Sequence, residues 1–358
     1  MSVLRIVDLC AGIGGIRKGF EITGDFVNVF SAEIDDNACI TYEANFGENP
    51  KGDVTDPNIC ERIPKYDVLL AGFPCQAFSI AGKKEGFKDE VRGTIFFYIA
   101  DIIERTRPRA FLLENVEGLV RHDKGRTFKT ILNVLEKQLD YKVFWEVKNA
   151  KNFGVPQNRP RVYIVGFSNK HVDFEFPTTS ERIYARTVND ILEENPVSPK
   201  YYLSEGYLNT LEKHKARHKK KGNGYGYVVL EPNGNSNAVL ATGGSGKERN
   251  LVVDKRLDLD NAKVPTNKRS PLNKKYIRFL TPREWGRLQG FEYCFEGGFK
   301  IPVSDTNAYK QLGNAVAVPV IAEIAKKMKT VLFEVDTDDL KGIPNASLDK
   351  DNFCVRAI

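Results

Sequence analysis

Three short segments of this chain carry residues able to do covalent chemistry on an electron-poor ring. Pro74-Cys75 sits in a glycine-punctuated loop, with Gly72-Phe73 before it and Gly82, Gly86 and Gly93 after it, directly behind an apolar run. Glu114-Asn115-Val116 follows the apolar Phe111-Leu112-Leu113, and Gln157-Asn158-Arg159-Pro160-Arg161 leads into a third apolar run. A thiol attacks as thiolate, so Cys75 needs activation by its site or by polarisation of the substrate. Pro74 fixes the approach of the chain, while Gln76 and the glycines suit a loop that closes over substrate. Glu114, placed where a strand leaves an apolar core, is expected to have a raised pKa and to donate a hydrogen bond to a ring nitrogen. Arg159 and Arg161 alternate at the start of a strand and so face one way, suiting a carbonyl or a phosphate. Each has a plainer reading as well: a buried structural cysteine, a solvated acid, surface salt bridges. Delivery of all three segments to one rim of a sheet favours the chemistry.

That rim requires a particular set of elements. Residues 4–9, 27–31, 67–71, 110–113 and 142–147 read as strands, and apolar residues at helical spacing lie between them, as in Ile95, Phe96, Ile99, Ile102 and Ile103. Short apolar strands separated by such helices predict an α/β fold with a doubly wound, mostly parallel sheet. Residues 162–167 follow 142–147 through a loop too short for a helical crossover and are expected to form an antiparallel edge strand. Asp8-Leu9-Cys10-Ala11-Gly12-Ile13-Gly14-Gly15 ends a strand and opens a helix, where glycines let a ligand approach the backbone. Arg17 breaks the G-x-G-x-x-G spacing, which disfavours a dinucleotide. Glu33, about 20 residues on, suits ribose hydroxyls, and Asp53 suits an adenine amino group. A tight turn with exposed acids is the alternative.

Beyond residue 180 the texture changes. A basic run holds Lys213, Lys215, Arg217, Lys219, Lys220 and Lys221, and Gly/Asn-rich stretches follow, including Gly243-Gly244. Residues 186–304 carry 21 Lys and Arg against 13 Asp and Glu, a net of +8, so the rest of a chain of net charge +6 carries −2. A positive segment on a slightly acidic body fits a module facing nucleic acid, through phosphate contacts that release counterions. A solvated helix beside flexible loops would look similar. Thr281-Pro282-Arg283-Glu284 predicts a capping box, and a last amphipathic helix is expected over residues 319–332. The expected organisation is a catalytic and cofactor-binding domain, 1–185 completed by 305–334, a target-reading domain, 186–304, and a mobile tail, 335–358.

The six cysteines are scattered without C-x-x-C or paired His, so neither a disulfide framework nor a zinc site is favoured, and no metal is expected. No run approaches about 20 apolar residues and no basic-then-apolar leader opens the chain; a cytoplasmic protein is expected.

In this order the motifs resemble the DNA cytosine-5 methyltransferases of restriction–modification systems, from about Ile6 to Ile321. The markers are Asp8–Gly15, Gly72-Phe73-Pro74-Cys75-Gln76, Glu114-Asn115-Val116, Gln157–Arg161, Thr281–Phe291 and Gln311-Leu312-Gly313-Asn314. The resemblance implies an S-adenosylmethionine-dependent methyltransferase fold with a smaller target-recognition domain across a cleft for double-stranded DNA. It implies that Cys75 adds to carbon 6 of a flipped-out cytosine while Glu114 engages N3 and Arg161 the ring O2. Asp8, Gly12, Gly14, Gly15, Glu33, Asp53, Pro74 and Asn314 would surround S-adenosylmethionine. Lys213, Arg217, Lys219, Lys220, Lys221, Gly243, Gly244 and Arg249 would contact DNA. The chain departs from the pattern at Cys10, where an aromatic is common, and at Ile34, where Trp often follows the acid. Ala315 replaces a frequent Ser, and Ala238-Val239 stands where Thr-Leu is expected. The basic run and Gly243–Asn250 look most like members reading CCGG, then CCNGG-type targets. A monomer near the nucleoid is implied, paired functionally with a restriction endonuclease but without a stable complex. The rivals are a tRNA cytosine-5 methyltransferase, a catalytically silent DNA-binding relative and, at a distance, a nicotinamide oxidoreductase.

Overall fold

Apolar runs that alternate with amphipathic ones have one economical solution, a sheet buried on both faces by helices. The computed structural model describes residues 3–74, 94–241, 247–259, 261–262 and 270–341, with side chains as far as Glu334. In chain order its first half runs β1 (Leu4–Leu9), α1 (Gly15–Glu21), β2 (Phe26–Ala32), α2 (Asp36–Phe46), α3 (Ile59–Arg62), β3 (Val68–Gly72), α4 (Ile95–Thr106) and β4 (Ala110–Val116). There follow α5 (Gly118–Arg121), α6 (Arg126–Asn133), β5 (Lys142–Asn149), β6 (Gln157–Asn158) and β7 (Pro160–Phe167). The rest comprises α7 (Glu205–Lys220), β8 (Ser236–Asn237), β9 (Leu251–Val253), β10 (Ile277–Phe279), α8 (Pro282–Leu288), α9 (Phe291–Cys294), α10 (Asp305–Asn314) and α11 (Val318–Lys341).

Six strands form one sheet in the order β2-β1-β3-β4-β7-β5. Neighbours from β2 to β4 are parallel, and β7 runs antiparallel to both β4 and β5. The antiparallel strand is therefore interior, and β5 is the edge, which corrects the expectation for residues 162–167. The physical reason is legible afterwards: Val162 to Phe167 is uninterruptedly apolar and buried, whereas β5 alternates with Lys142, Glu146 and Lys148. Central strands need the first composition and exposed edges the second.

One face of the sheet is covered by α1 and α11, whose Val320, Ile321, Ile324 and Met328 pack on Leu4 and Ile6 of β1. Contact there is close: a Cβ on Gly19 would lie 2.5 Å from Ile321. The other face is covered by α4 and α6, with Ile99, Ile103 and Phe128 against Val7, Leu69 and Leu113. Residues 186–304 do not pack as one body. Trp285, Leu288 and Phe291 share a third core with Ile13, Ala38, Leu312 and Val318, while Leu203, Leu208, Leu251 and Ile277 form a separate cluster. The Thr281–Glu284 capping box is present, and Glu284 also grips Arg278 through both carboxylate oxygens. Helix α11 continues to Lys341, seven residues into the stretch expected to be a mobile tail. A helix already nucleated on a core adds polar residues at little cost. The remainder of that stretch, 342–358, lies outside the described residues, and no described helix is long and apolar enough to cross a membrane.

Candidate active site

The parallel strands β1, β3 and β4 end at the rim where antiparallel β7 begins, so residues from distant segments meet there. In the register, Val116 pairs with Arg161, Glu114 with Tyr163, and Gly72 with Glu114. Glu114 thus lies inside β4 rather than just beyond it. A cavity of about 740 Å³ opens at this rim, a size suited to a nucleoside-sized ligand with room for a second ring.

On one side of the cavity, Arg161 Nε lies 3.2 Å from Glu114 Oε1, both side chains being about nine-tenths buried. Burial pushes the Glu114 carboxyl above its ordinary range, and Arg161, then Arg159, pull against that shift. A carboxyl so placed is ready to hold a proton while staying aimed by a guanidinium. Asn115, 2% exposed, donates from Nδ2 to the Phe73 carbonyl at 2.9 Å and accepts from the Val116 N–H at 2.8 Å. It therefore ties the end of β4 to the chain that carries Pro74, which also lines the cavity. Cys75 and Gln76 lie outside the described residues.

Arg159 occupies the junction of β6 and β7 and is 2% exposed. Its guanidinium donates to the carbonyls of Val239 at 2.7 Å, Gly313 at 2.9 Å and Ala315 at 2.5 Å. Burial and Arg161 lower its pKa, and the three carbonyls offset that loss of solvation. Sequence reasoning paired it with Arg161 as a catalytic group. Both line the cavity, but their contacts differ: the Nη groups of Arg159 are engaged by protein carbonyls, whereas Arg161 Nε lies beside Glu114.

On the opposite side the β1–α1 loop turns through left-handed conformations at Cys10, Gly12 and Gly14, with φ of 53, 56 and 79°. Gly12 donates its N–H to Glu33 Oε2 at 2.7 Å, and Glu33 Oε1 accepts from Ile34 and Asp35 at 2.9 and 2.8 Å. Asp53 Oδ1 is held by Thr55. Glu33, Asp53, Gly12, Gly15 and Asn314 all line the cavity. Two other expectations need correction. Asp8 is 1% exposed and lies on the α1 face of the sheet near Arg17, outside the lining of the cavity. Burial pushes its carboxyl well up, with Arg17 opposing. Gly14 also stays outside the lining: a Cβ there would meet Phe46 at 2.2 Å, so its role is close packing on α2.

The sequence reading missed Lys310 and the Leu240–Ala241 segment, which line the cavity with Ile34. Lys310 Nζ reaches Asp35 Oδ2 at 2.7 Å across the α10–α2 junction, a pairing over 275 residues with no local signal. Leu240 and Ala241 lie against Gly313, where a Cβ would sit 2.3 Å from the Ala241 nitrogen. Cys10 lines the cavity too, but burial followed by Glu33 pushes its thiol up to about 12, which leaves it protonated and inert.

The basic run forms the end of α7, whose N-cap is Ser204. Lys213, Arg217, Lys219, Lys220, Lys221 and Arg249 are exposed. Gly243 and Gly244 lie outside the described residues.

Residues 4–330 match the family model for C-5 cytosine-specific DNA methylases. The chain is 53% identical over 326 residues to the Type II methyltransferase M.HpaII of Haemophilus parainfluenzae, covering 90% of this chain and 88% of that protein. It is 47% identical over 333 residues to the Type II methyltransferase M1.ScrFI of Lactococcus lactis subsp. cremoris, covering 92% and 78%. Among solved structures, the Entamoeba histolytica methyltransferase EhMeth shares the fold at a TM-score of 0.67 and 20% identity, over 95% of this chain and 99% of that one. The S. pombe Dnmt2 methyltransferase does so at 0.67 and 18%, over 94% and 100%. The chain belongs to the C-5 cytosine-specific DNA methylases, and is a DNA (cytosine-5) methyltransferase that uses S-adenosylmethionine.

Proposed function

We propose that the cavity holds the cofactor on its Glu33–Asp53 side and a flipped-out cytosine on its Glu114–Arg161 side, with Cys75 as covalent nucleophile. The observation that carries this reading is the buried Glu114–Arg161 pair, which faces the same cavity as Pro74. Flipping costs a few kcal/mol of unstacking, and a pocket holding a proton donor and a cation for one ring edge supplies the compensating contacts. Cys75 forms a bond to carbon 6 while Glu114, protonated, donates to N3 and Arg161 to O2, so the electron pair moves toward carbon 5. When bound, S-adenosylmethionine supplies the methyl group that carbon 5 takes up. Loss of the carbon-5 proton to a base then restores the double bond and expels Cys75 as thiolate.

The residues fit that cofactor. Glu33 is fixed by three backbone N–H groups yet keeps lone pairs for ribose hydroxyls, and Asp53 Oδ2 makes no hydrogen bond among the described residues. Exposed Ile34 offers an apolar surface beside them, where an aromatic was the expected partner for adenine.

Residues 186–304 are proposed to read the target, with CCGG first and CCNGG-type sites second. In support, the match to M.HpaII leaves out only about a tenth of this chain, so it runs through most of that segment. The exposed end of α7 supplies phosphate contacts. The enzyme acts as a monomer on nucleoid DNA and protects it from a partner restriction endonuclease that it does not stably bind.

The test is transfer of labelled methyl from S-adenosylmethionine to duplex DNA and to tRNA, followed by bisulfite sequencing. Label at one short CC-containing motif, abolished by Cys75→Ala with cofactor binding retained, is the expected result. Methylation at a site lacking CC refutes the target. Turnover by Cys75→Ala refutes the covalent route, and label on tRNA alone moves the chain to the RNA branch.

A further inference from the structure

We propose that Arg159 is a positioning residue that couples docking of the target-reading segment to the cofactor wall. The inference rests on the reading that the cavity holds both cofactor and cytosine. Its basis is the pattern of bonds made by one buried side chain. Nη1 holds the Val239 carbonyl at 2.7 Å; Nη2 holds Gly313 and Ala315 at 2.9 and 2.5 Å. Val239 leads directly into Leu240 and Ala241, whereas Gly313 and Ala315 flank Asn314, and all of these neighbours line the cavity.

Among the described residues, a second and less direct connection runs through Gln157 and Gln289. Gln157 Oε1 accepts from the Val239 N–H at 3.1 Å, and its Nε2 donates to Leu288 and Gln289. Gln289 in turn donates to the carbonyls of Leu312 and Ala315. Both backbone groups of Val239 are thus held by side chains from the segment that also carries Arg161. Gly313 admits the Leu240–Ala241 backbone only because it lacks a Cβ. A planar guanidinium bridges three carbonyls of two segments from two nitrogens in fixed directions, whereas an ammonium offers three rotatable donors from one point. Movement of the 239–241 segment on engaging DNA must therefore pull on the Gly313–Ala315 wall, and ordering of that wall by cofactor must restrain the segment. Reciprocity follows from linkage.

The experiment measures S-adenosylhomocysteine affinity by calorimetry, with and without saturating target duplex, for the unmodified chain, Arg159→Lys and Gly313→Ala. The expected result is a duplex-induced tightening of about tenfold in the unmodified chain, within the range usual for coupled sites. In each variant the ratio of affinities with and without duplex falls below about threefold. A folded Arg159→Lys with the full factor, or no factor in the unmodified chain, overturns the proposal. If Arg159→Lys does not fold, Gly313→Ala decides, since it pushes on the same junction from the other side. Hydrogen exchange on the unmodified chain reads the coupling without any variant: S-adenosylhomocysteine alone should slow the amides of residues 239–241, and unchanged exchange overturns it. Failure of the ligand to bind at all would strike the proposed site itself, whereas binding with intact coupling in the variants strikes only this inference.

Discussion

Asn115→Asp exchanges one atom for another of nearly equal size, yet inverts the sense of a buried contact. Asn115 Nδ2 donates to the Phe73 carbonyl at 2.9 Å in a site 2% exposed. With an ionised carboxylate there, two oxygens would face each other, and the Phe73 carbonyl would lose its donor. Leaving a buried acceptor unpaired costs about 1–3 kcal/mol. If that cost falls on the geometry of the Pro74–Cys75 approach, turnover drops about 5- to 150-fold, at about 1.4 kcal/mol per decade. The new carboxyl has a second state, however. When protonated it can donate to Phe73 again, while its other oxygen still accepts from the Val116 N–H. The deficit relative to the unmodified enzyme should therefore be largest near pH 8 and shrink as pH falls toward 5.5. The assay is labelled methyl transfer to duplex DNA over that range, with Asn115→Ala as the variant that cannot recover. A variant within twofold of normal turnover at pH 8, or a deficit independent of pH, would refute the claim that this hydrogen bond positions the chain at Pro74 for the proposed attack.

Three further outcomes are expected. Glu114→Gln should cut turnover by about 10²- to 10⁴-fold by removing the acid. Because burial raises the Glu114 pKa, the native state holds the proton more tightly, so the unmodified protein loses stability as pH rises from the ordinary carboxylate value through the raised one. The Gln variant escapes that loss, and thermal unfolding at pH 7 should show it no less stable. Glu284→Gln leaves Arg278 with a single carboxylate partner, Asp254, in a fully buried cluster. Denaturant unfolding should register a loss of about 3–5 kcal/mol; no change would mean the pair is dispensable. Replacing Lys213, Arg217 and Lys220 together by Gln should reduce the slope of log affinity against log salt by up to about 2.7, at about 0.9 per phosphate. An unaltered slope would remove the end of α7 from the DNA interface.

The parallel half of the sheet and the rim were legible because apolar strands, glycine turns and charged residues at strand ends are local signals. Glu33, Asp53 and Glu114 reach the cavity for that reason. Asp8 and Gly14 were misplaced although they lie in the same motif. Side-chain direction along β1 alternates, so Asp8 falls with Ile6 on the α1 face, and the need for Gly14 comes from Phe46, 32 residues away. The fate of Arg159 was invisible, since its acceptors at Val239, Gly313 and Ala315 are backbone carbonyls that carry no residue-type signature. The position of β7 inside the sheet was recoverable from composition, but the argument from loop length alone fixed only its direction.

The packing of α11 on α1 and β1 has a consequence for synthesis on the ribosome. Ile6 shares a core cluster with Val320, Ile324 and Met328, so part of the first strand's packing waits for a helix made more than 300 residues later. Such long-range closure is slow relative to local folding. The segment with the basic helix, buried around Leu203, Leu208 and Leu251, is complete before that closure is possible. A nascent chain thus acquires its positively charged part before α11 can close over the first strand.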